Sequence, residues 1–361
     1  MNERYDGNAV VYCEGALQTT NGKTAHGLLR RSEQFRIVAV VDSTSAGKRA
    51  GEIVRGARFD VPVVRTLDAA RRLGETNGTP LTHLVVGLAP DGGSLPLSAR
   101  EHLVEAIRAG LHIESGLHDL LSEDDVFRAE AEKAGVHLHD LRKMPQKSAL
   151  HFFSGKIAEV TVPRVAVLGT DSAVGKRTTA WMLVDAYRAA GLRAELVGTG
   201  QTARLQGAKY GVVFDALVND FVSGEIEHAV WSAWKGESPD IIVVEGQGSL
   251  MNPAYPGGLE ILAAARPSCI VLQHASARKE YDGFPGYPLH PVEKQIAALE
   301  LISERKVVAV TVNTEGIATE AVDAACREIT ERTGLPAAAP LFHGVGAVID
   351  AVRPYVGRGA V

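Results

Sequence analysis

The stretch Val165-Ala-Val-Leu-Gly169-Thr-Asp-Ser-Ala-Val-Gly175-Lys176-Arg-Thr-Thr179 decides how the second half of this chain is read. Four apolar residues form a candidate buried strand, run directly into a glycine-bounded polar loop, and are followed by a helical pattern through Trp181, Leu183, Val184 and Tyr187. That order makes a phosphate loop: successive backbone N–H groups turn inward, the helix N-terminus adds partial positive charge, and the lysine adds a full one. Gly169, Thr170, Asp171, Ser172, Ala173, Val174, Gly175, Lys176, Arg177, Thr178 and Thr179 are therefore the expected cofactor-binding residues. Two features depart from the usual spacing. Five residues instead of four separate the glycines, and Arg177 stands where a Ser or Thr would hold magnesium. Thr178 or Thr179 is left for that role, and Arg177 is read as further charge against the ligand.

Outward from this loop, short Val/Ile/Leu-rich runs alternate with longer amphipathic stretches, the pattern of βαβ units and buried parallel sheets. At 361 residues, against a prior of ~100–200 residues per domain, two domains are expected. The fold class is α/β: a Rossmann-like domain over residues 1–145, then a P-loop NTPase-like parallel-sheet domain over 150–361. In the first, strands are expected near Ala9 to Cys13, Arg36 to Val41, Val61 to Val64, His83 to Leu88, Leu111 to Glu114 and Val136 to Leu138. A helix from about Ser98 to Ala109 has Leu103, Val104 and Ile107 on one face, Ser98 as its cap and Gly110 as its stop. Between residues 142 and 162 the rhythm breaks at Lys-Met-Pro-Gln-Lys, Phe152-Phe153, Gly155 and Pro163, which places a connection near residue 150. The second series has strands near Val165 to Leu168, Ala194 to Val197, Ile241 to Glu245, Ile270 to Gln273 and Val307 to Val312.

Composition excludes several classes. Hydrophobic residues at 45% and charged residues at 22% are globular usage, and no apolar run approaches the ~20 residues that span a membrane. A net charge of −5 lacks the basic excess of nucleic-acid binding. Cys13, Cys269 and Cys326 are far apart, which suggests reduced thiols rather than a disulfide framework or zinc site. The N-terminus has acids and no apolar core of a secretory signal, so a cytoplasmic location is expected. A homodimer is expected on symmetry statistics alone.

Chemistry-bearing residues collect after the strands. Glu245 ends Ile241-Ile-Val-Val and leads into Gly246-Gln247-Gly-Ser249, so its carboxylate should emerge at the C-terminal sheet edge, to serve a metal or act as a general base. His274 opens a Pro/Gly- and aromatic-rich loop to His290 and is a further candidate acid or base, beside Asp171. Asp215 and Asp220 on an expected helix, with Glu225 and Glu227, are read either as a magnesium or ammonium site or as a solvated helix face. In the first domain Gly22-Lys23-Thr24 begins a helix that can attract an anion, without the GxGxxG spacing of a dinucleotide site. Asp42 ends the second strand, where a Rossmann domain places a ribose-binding acid; without the glycine fingerprint it is read rather as a strand-end cap. His118 and Asp119, as sequence neighbours, do not face each other on a helix, but belong to a ligand-side surface. Lys23, Thr24, His118, Gln247 and Ser249 are the expected substrate-binding residues.

Six motifs in order, Gly22-Lys-Thr-Ala-His-Gly, Gly92-Gly-Ser-Leu-Pro, Ser115-Gly-Leu-His-Asp-Leu-Leu, the loop Gly169 to Lys176, Val244-Glu-Gly-Gln-Gly-Ser-Leu and Phe284-Pro-Gly-Tyr-Pro, resemble a two-domain P-loop family. That family, long called a domain of unknown function, includes D-glutamate N-acetyltransferases. The resemblance covers nearly the whole chain. It implies acetyl-CoA as donor and a small amino acid, D-glutamate-like, as acceptor; no catalytic residue is carried over. The phosphate-loop and Glu245 segments are also similar to dethiobiotin synthetase, which implies an alternative: Mg-ATP as cofactor, with Thr178, Asp171 and Glu245 organising the metal, and an ATP-dependent ligase or kinase acting on a small carboxylate. Arg177 departs from that relative. Acetyl transfer to an amine needs a base for the ammonium proton and donors for the thioester oxyanion, for which Glu245 is the first candidate base. An acceptor with two carboxylates calls for Arg or Lys forks, and Arg142, Arg204 and Arg278 are the candidates.

Overall fold

The computed structural model describes residues 5–356. Its contacts divide the chain into two compact units, one of residues 1–144 together with Gln201–Gly207, the other of residues 145–200 and 208–361. A single boundary near residue 150 does not anticipate that Gln201–Gly207 clusters with the first unit. The reason is local: Leu205 is fully buried as part of the first hydrophobic core, and the Gln206 side-chain amide donates to the Gly27 carbonyl at 2.7 Å.

The first unit is built on a parallel sheet of β1 (Gly7–Tyr12), β2 (Phe35–Val41), β3 (Val63–Val64), β4 (His83–Val86), β5 (His112–Ser115) and β6 (Leu138–Asp140), in the order β3-β2-β1-β4-β5-β6. Helices α1 (Lys23–Arg30), α2 (Ala50–Ile53), α3 (Leu67–Thr76), α4 (Leu97–Arg108) and α5 (Asp125–Ala134) connect the strands. The strands are apolar on both faces because helices cover both, and β1 buries Ala9, Val10 and Val11 completely. Helix α5 shows the sequence control of an element's ends. Asp124 accepts from the Val126 and Phe127 amides, and Gly135 takes the left-handed turn that stops it.

The second unit holds β7 (Arg164–Gly169), β8 (Ala194–Gly198), β9 (Tyr210–Gly211), β10 (Ile241–Glu245), β11 (Cys269–His274), β12 (Val307–Val312) and β13 (Ala337–Ala338), parallel in the order β13-β12-β11-β7-β10-β8-β9. Its helices are α6 (Lys176–Ala189), α8 (Asn219–Glu237), α9 (Gly258–Ala265), α10 (Val292–Ser303), α11 (Val322–Thr333), α12 (Pro340–His343) and α13 (Gly346–Val356), while α7 (Gln201–Leu205) clusters with the first unit. The chain order reverses at β7: it proceeds through β8 on one side and crosses to β11 on the other. The C-terminal ends of β10, β7 and β11 therefore lie side by side at a topological switch point, where open α/β sheets bind ligands.

Several expectations change. The two-residue edge strands β9 and β13 carry no apolar run that could announce them. The strand expected at Val136 to Leu138 moves to Leu138–Asp140, since Gly135 and Val136 complete the turn after α5. Ser98 is not a cap: α4 starts at Leu97 after Pro96, and no side chain caps it. Asp215 sits in a one-turn 3-10 segment, Phe214–Ala216, before α8 begins.

Candidate functional site

The loop after β7 turns because Ala173 and Gly175 take left-handed φ angles of 52° and 103°. Alternating left- and right-handed residues bring successive N–H groups to one side and form an anion-binding concavity. Helix α6 follows with no side-chain cap at its N-terminus, so its first amides are left to a ligand. The Lys176 ammonium is buried and donates to the carbonyls of Asp171 (2.7 Å) and Gly248 (2.9 Å). Its stem passes between two glycines. A β-carbon on Gly169 would lie 2.8 Å from Lys176 Cδ, and one on Gly246 would lie 3.0 Å from it and 2.5 Å from the Val167 carbonyl oxygen.

Asp171 is fully buried and its carboxylate accepts four hydrogen bonds: from the Ser172 amide (2.7 Å), Asn252 Nδ2 (2.7 Å), Arg278 (2.7 Å) and the Asp282 amide (2.8 Å). A carboxylate so surrounded has each of its lone pairs engaged and none left for a substrate proton. Asp171 therefore ties the phosphate loop to the loops after β10 and β11, and the structure does not support its expected role as a base. Asn252, Asp282 and the partner role of Arg278 were not anticipated, because no spacing in these irregular loops marks them.

Glu245, at the end of β10, is buried and accepts from the Thr199 amide at 3.0 Å. Burial raises its pKa; the nearby Arg177 guanidinium, the Thr199 amide and Lys176 oppose that. Arg177 is depressed in turn by burial, with Glu245 opposing. Arg177 thus lies within electrostatic reach of Glu245. His274, at the end of β11, is buried with Nδ1 3.0 Å from the Thr170 hydroxyl. Burial pushes it down to about 4, helped by Arg332 and resisted by Glu293. At neutral pH this imidazole is uncharged and a weak base.

Thr179 is committed to packing: it donates to Gln273 Oε1 at 2.5 Å, and Thr311 donates to the same oxygen at 2.7 Å. Thr178 is half-buried on the first turn of α6. Ser249 is buried and its Oγ accepts from the Asn252 amide at 3.1 Å, closing a turn in the loop after β10. Gln247 is half-buried, its Oε1 3.9 Å from where a Gly200 β-carbon would be. Glu225 and Glu227 of α8 are tied to the segment before β7. Glu227 is fully buried and accepts from the Ser154 amide (2.7 Å), the Ser154 hydroxyl (2.8 Å) and the Ile157 amide (3.1 Å). Glu225 binds the His151 amide and ring.

In the first unit Lys23 is exposed at the start of α1, whereas Thr24 is buried with its hydroxyl 3.2 Å from that of Thr202. Asp42 receives the amides of Gly15 (3.0 Å) and Thr44 (3.1 Å), as an end-of-strand cap does. His118 is exposed against Gly93, and Asp119 turns to the Leu95 amide at 2.7 Å instead of to its neighbour. A cavity of about 400 Å³ lined by Pro163, Arg193, Trp234 and Asp240 lies at the opposite edge of the second sheet, where β7, β8 and β10 begin.

Among the described residues, no helix is long and apolar enough to cross a membrane. A P-loop domain of unknown function, DUF1611_C, matches residues 151–349, and the Rossmann-like DUF1611_N matches residues 43–144. A protein named D-glutamate N-acetyltransferase from Tritonibacter scottomollicae is 31% identical over 293 residues, covering 80% of this chain and 84% of that one. Another of the same name, from a Pseudoalteromonas species, is 32% identical over 272 residues, 73% and 79% of the two chains. The crystal structure of a DUF1611 family protein from Anabaena variabilis superposes with a TM-score of 0.86 at 31% identity, over 96% of this chain and 99% of that one. With a Rossmann-like sheet followed by a phosphate-loop sheet, and with relatives that match along most of its length, the chain belongs to the DUF1611 family.

Proposed function

We propose that the chain is an N-acetyltransferase that moves an acetyl group from acetyl-CoA to the amine of a small amino acid of the D-glutamate type. The observation that carries this reading is the match along most of the chain to two relatives named for that activity. The phosphate loop fits the donor. Coenzyme A presents a pyrophosphate and a ribose phosphate, which the inward N–H groups, the uncapped start of α6 and Lys176 can hold without hydrolysis. Arg177, occupying the usual magnesium-binding position and lying within reach of Glu245, suits anion binding better than metal binding.

Bound acetyl-CoA supplies an activated thioester carbonyl. The chain's own task is then to orient the amine, remove its ammonium proton and place N–H donors near the developing oxyanion. Glu245 is the proposed base: it lies beside the phosphate loop at the end of β10, where burial raises its proton affinity and Arg177, the Thr199 amide and Lys176 oppose that rise. The test is calorimetric titration of acetyl-CoA and, separately, Mg-ATP into the wild type and Lys176→Ala. The expected result is acetyl-CoA binding that the substitution weakens by about tenfold or more, with D-glutamate-dependent thiol release in a coupled assay. Binding of Mg-ATP with none of acetyl-CoA would reject this reading in favour of an ATP-dependent ligase or kinase.

A further inference from the structure

Before β7 the chain lies along α8 in a contact that the phosphate loop does not use. It approaches the helix so closely at Gly224 that a β-carbon there would be 2.6 Å from the Phe152 carbonyl carbon and 2.7 Å from the Phe153 nitrogen. Side chains of α8 fasten this segment one after another. Glu225 Oε1 accepts from the His151 amide (2.5 Å) and from the same residue's Nδ1 (2.8 Å). Glu227 takes the Ser154 amide, and His228 Nδ1 lies 2.7 Å from the Lys156 ammonium. The His151 and His228 rings stack with centres 3.4 Å apart and planes 8° from parallel. The Lys156 ammonium also stands 5.2 Å from the centre of the Trp231 ring, whose Nε1 donates to Glu159 at 2.9 Å. Ile157 and Val160 are buried in the second hydrophobic core and end the surface-laid stretch.

The protonation state of His228 follows from its partner. An ammonium only donates, so His228 Nδ1 accepts from it, which requires a neutral ring with its proton on Nε2, 3.3 Å from the Ser232 hydroxyl. A second proton would set an N–H against the ammonium and lay a cation face to face on the His151 ring. The charged and titratable groups facing His228 are Lys156 and His151 from the segment and Glu225 and Glu227 from its own helix. Burial, Lys156 and His151 lower its pKa, and the two glutamates oppose this. When the segment leaves α8, Lys156 and His151 leave with it, and the ring titrates nearer its ordinary value of about 6.5. Protons therefore favour release: docking is strongest at neutral pH and weakens as pH falls through that value.

We infer that residues 151–156 form a proton-sensitive clasp on α8, closed while the His228 ring is neutral and loosened when that ring takes up a proton against Lys156.

The experiment is amide hydrogen exchange of the full chain at pH 7.5 and pH 5, corrected for the chemical exchange rate and read at the His151 and Ser154 amides and along β7. Protection of the two segment amides is expected to fall about fivefold or more at the lower pH while β7 holds. His228→Gln, which can accept from Lys156 but does not titrate, should remove that fall. Three outcomes overturn the clasp: protection that does not change with pH, a fall that persists in full in His228→Gln, or a loss along β7 in step with the segment, which would mean general acid unfolding. Lys156→Met checks the same device without touching the ring. The midpoint of the His228 Cε1–H signal by NMR, assigned by its loss in His228→Gln, is expected to rise in that variant; a midpoint that stays or falls shows that the ammonium does not govern the ring's charge and overturns the inference.

Discussion

A methyl group added at Gly246 would meet the Val167 carbonyl oxygen, the Leu168 Cα at 2.9 Å and the Lys176 stem. Two of these three are backbone and cannot move aside, so Gly246→Ala is expected to destabilise the second unit by about 1–3 kcal/mol, read by urea denaturation with tryptophan fluorescence. Asp171 makes a larger demand. Its removal leaves the Asn252 amide group and two backbone N–H groups unanswered and takes from the half-buried Arg278 guanidinium its nearest carboxylate, so Asp171→Ala should cost about 3–5 kcal/mol; a loss below 1 kcal/mol would show that these loops are not held through this carboxylate. Glu245 runs the other way. Because burial raises its pKa above the ordinary carboxyl value, the unfolded chain loses its proton first as pH rises, and stability declines through that window. Glu245→Gln is therefore expected to raise the neutral-pH melting temperature, since burial outweighs the attraction of Arg177, and to lower acetyl transfer by about 100-fold or more. A variant that melts higher and remains fully active would dismiss Glu245 as the base. The residue types at Gly169, Gly175 and Lys176 were legible because the spacing of a strand, loop and helix imposes them. Asp171's partners were not, because they come from loops about 80 and 110 residues away.

At the scale of elements, the starts of β4 and β5 and the turn before β6 bring three imidazoles into a row. His83 and His112 lie 5.0 Å apart between ring centres, His112 and His137 5.2 Å, and Phe35 packs on His83 at 5.0 Å. Burial, with His112 assisting, lowers the His83 pKa against the pull of Glu114 and Asp6. Below the unfolded value near 6.5 the unfolded chain binds the proton first, so the contribution is present at neutral pH and is lost as pH falls through that value toward the folded one. The urea midpoint of the first unit should drop between pH 7.5 and pH 5, and His83→Gln should reduce that drop; equal drops in both proteins would reject the role. Long apolar runs such as Ile241-Ile-Val-Val made the central strands readable, and Asp124 with Gly135 bracketed α5. The edge strands β9 and β13 exist only because a neighbour offers a ladder to two residues, and nothing in their own sequence requires it.

For the whole molecule, Leu205 tests the division into units. It is distant in sequence from the first core yet fully buried in it, with no exposed surface. Leu205→Ala should cost about 2–5 kcal/mol and reduce hydrogen-exchange protection in β1, β2 and β4. Because Trp181, Trp231 and Trp234 all belong to the second unit, the fluorescence transition should change less than the exchange; the opposite ranking would place Leu205 in the wrong core. The sequence by itself determined two α/β domains in order and the phosphate loop, because hydrophobic period, strand length and glycine spacing are local properties that backbone geometry imposes on neighbouring residues. Only the tertiary structure decided that Asp171 is a fully bonded tie, that Glu227 is a buried staple, that α7 clusters with the first unit, and that Glu114 anchors the His139 ring. Each of these depends on which distant donors and acceptors meet when the chain closes, and a buried carboxylate's chemistry is set by those partners and the loss of water around it, neither of which is written at its own position.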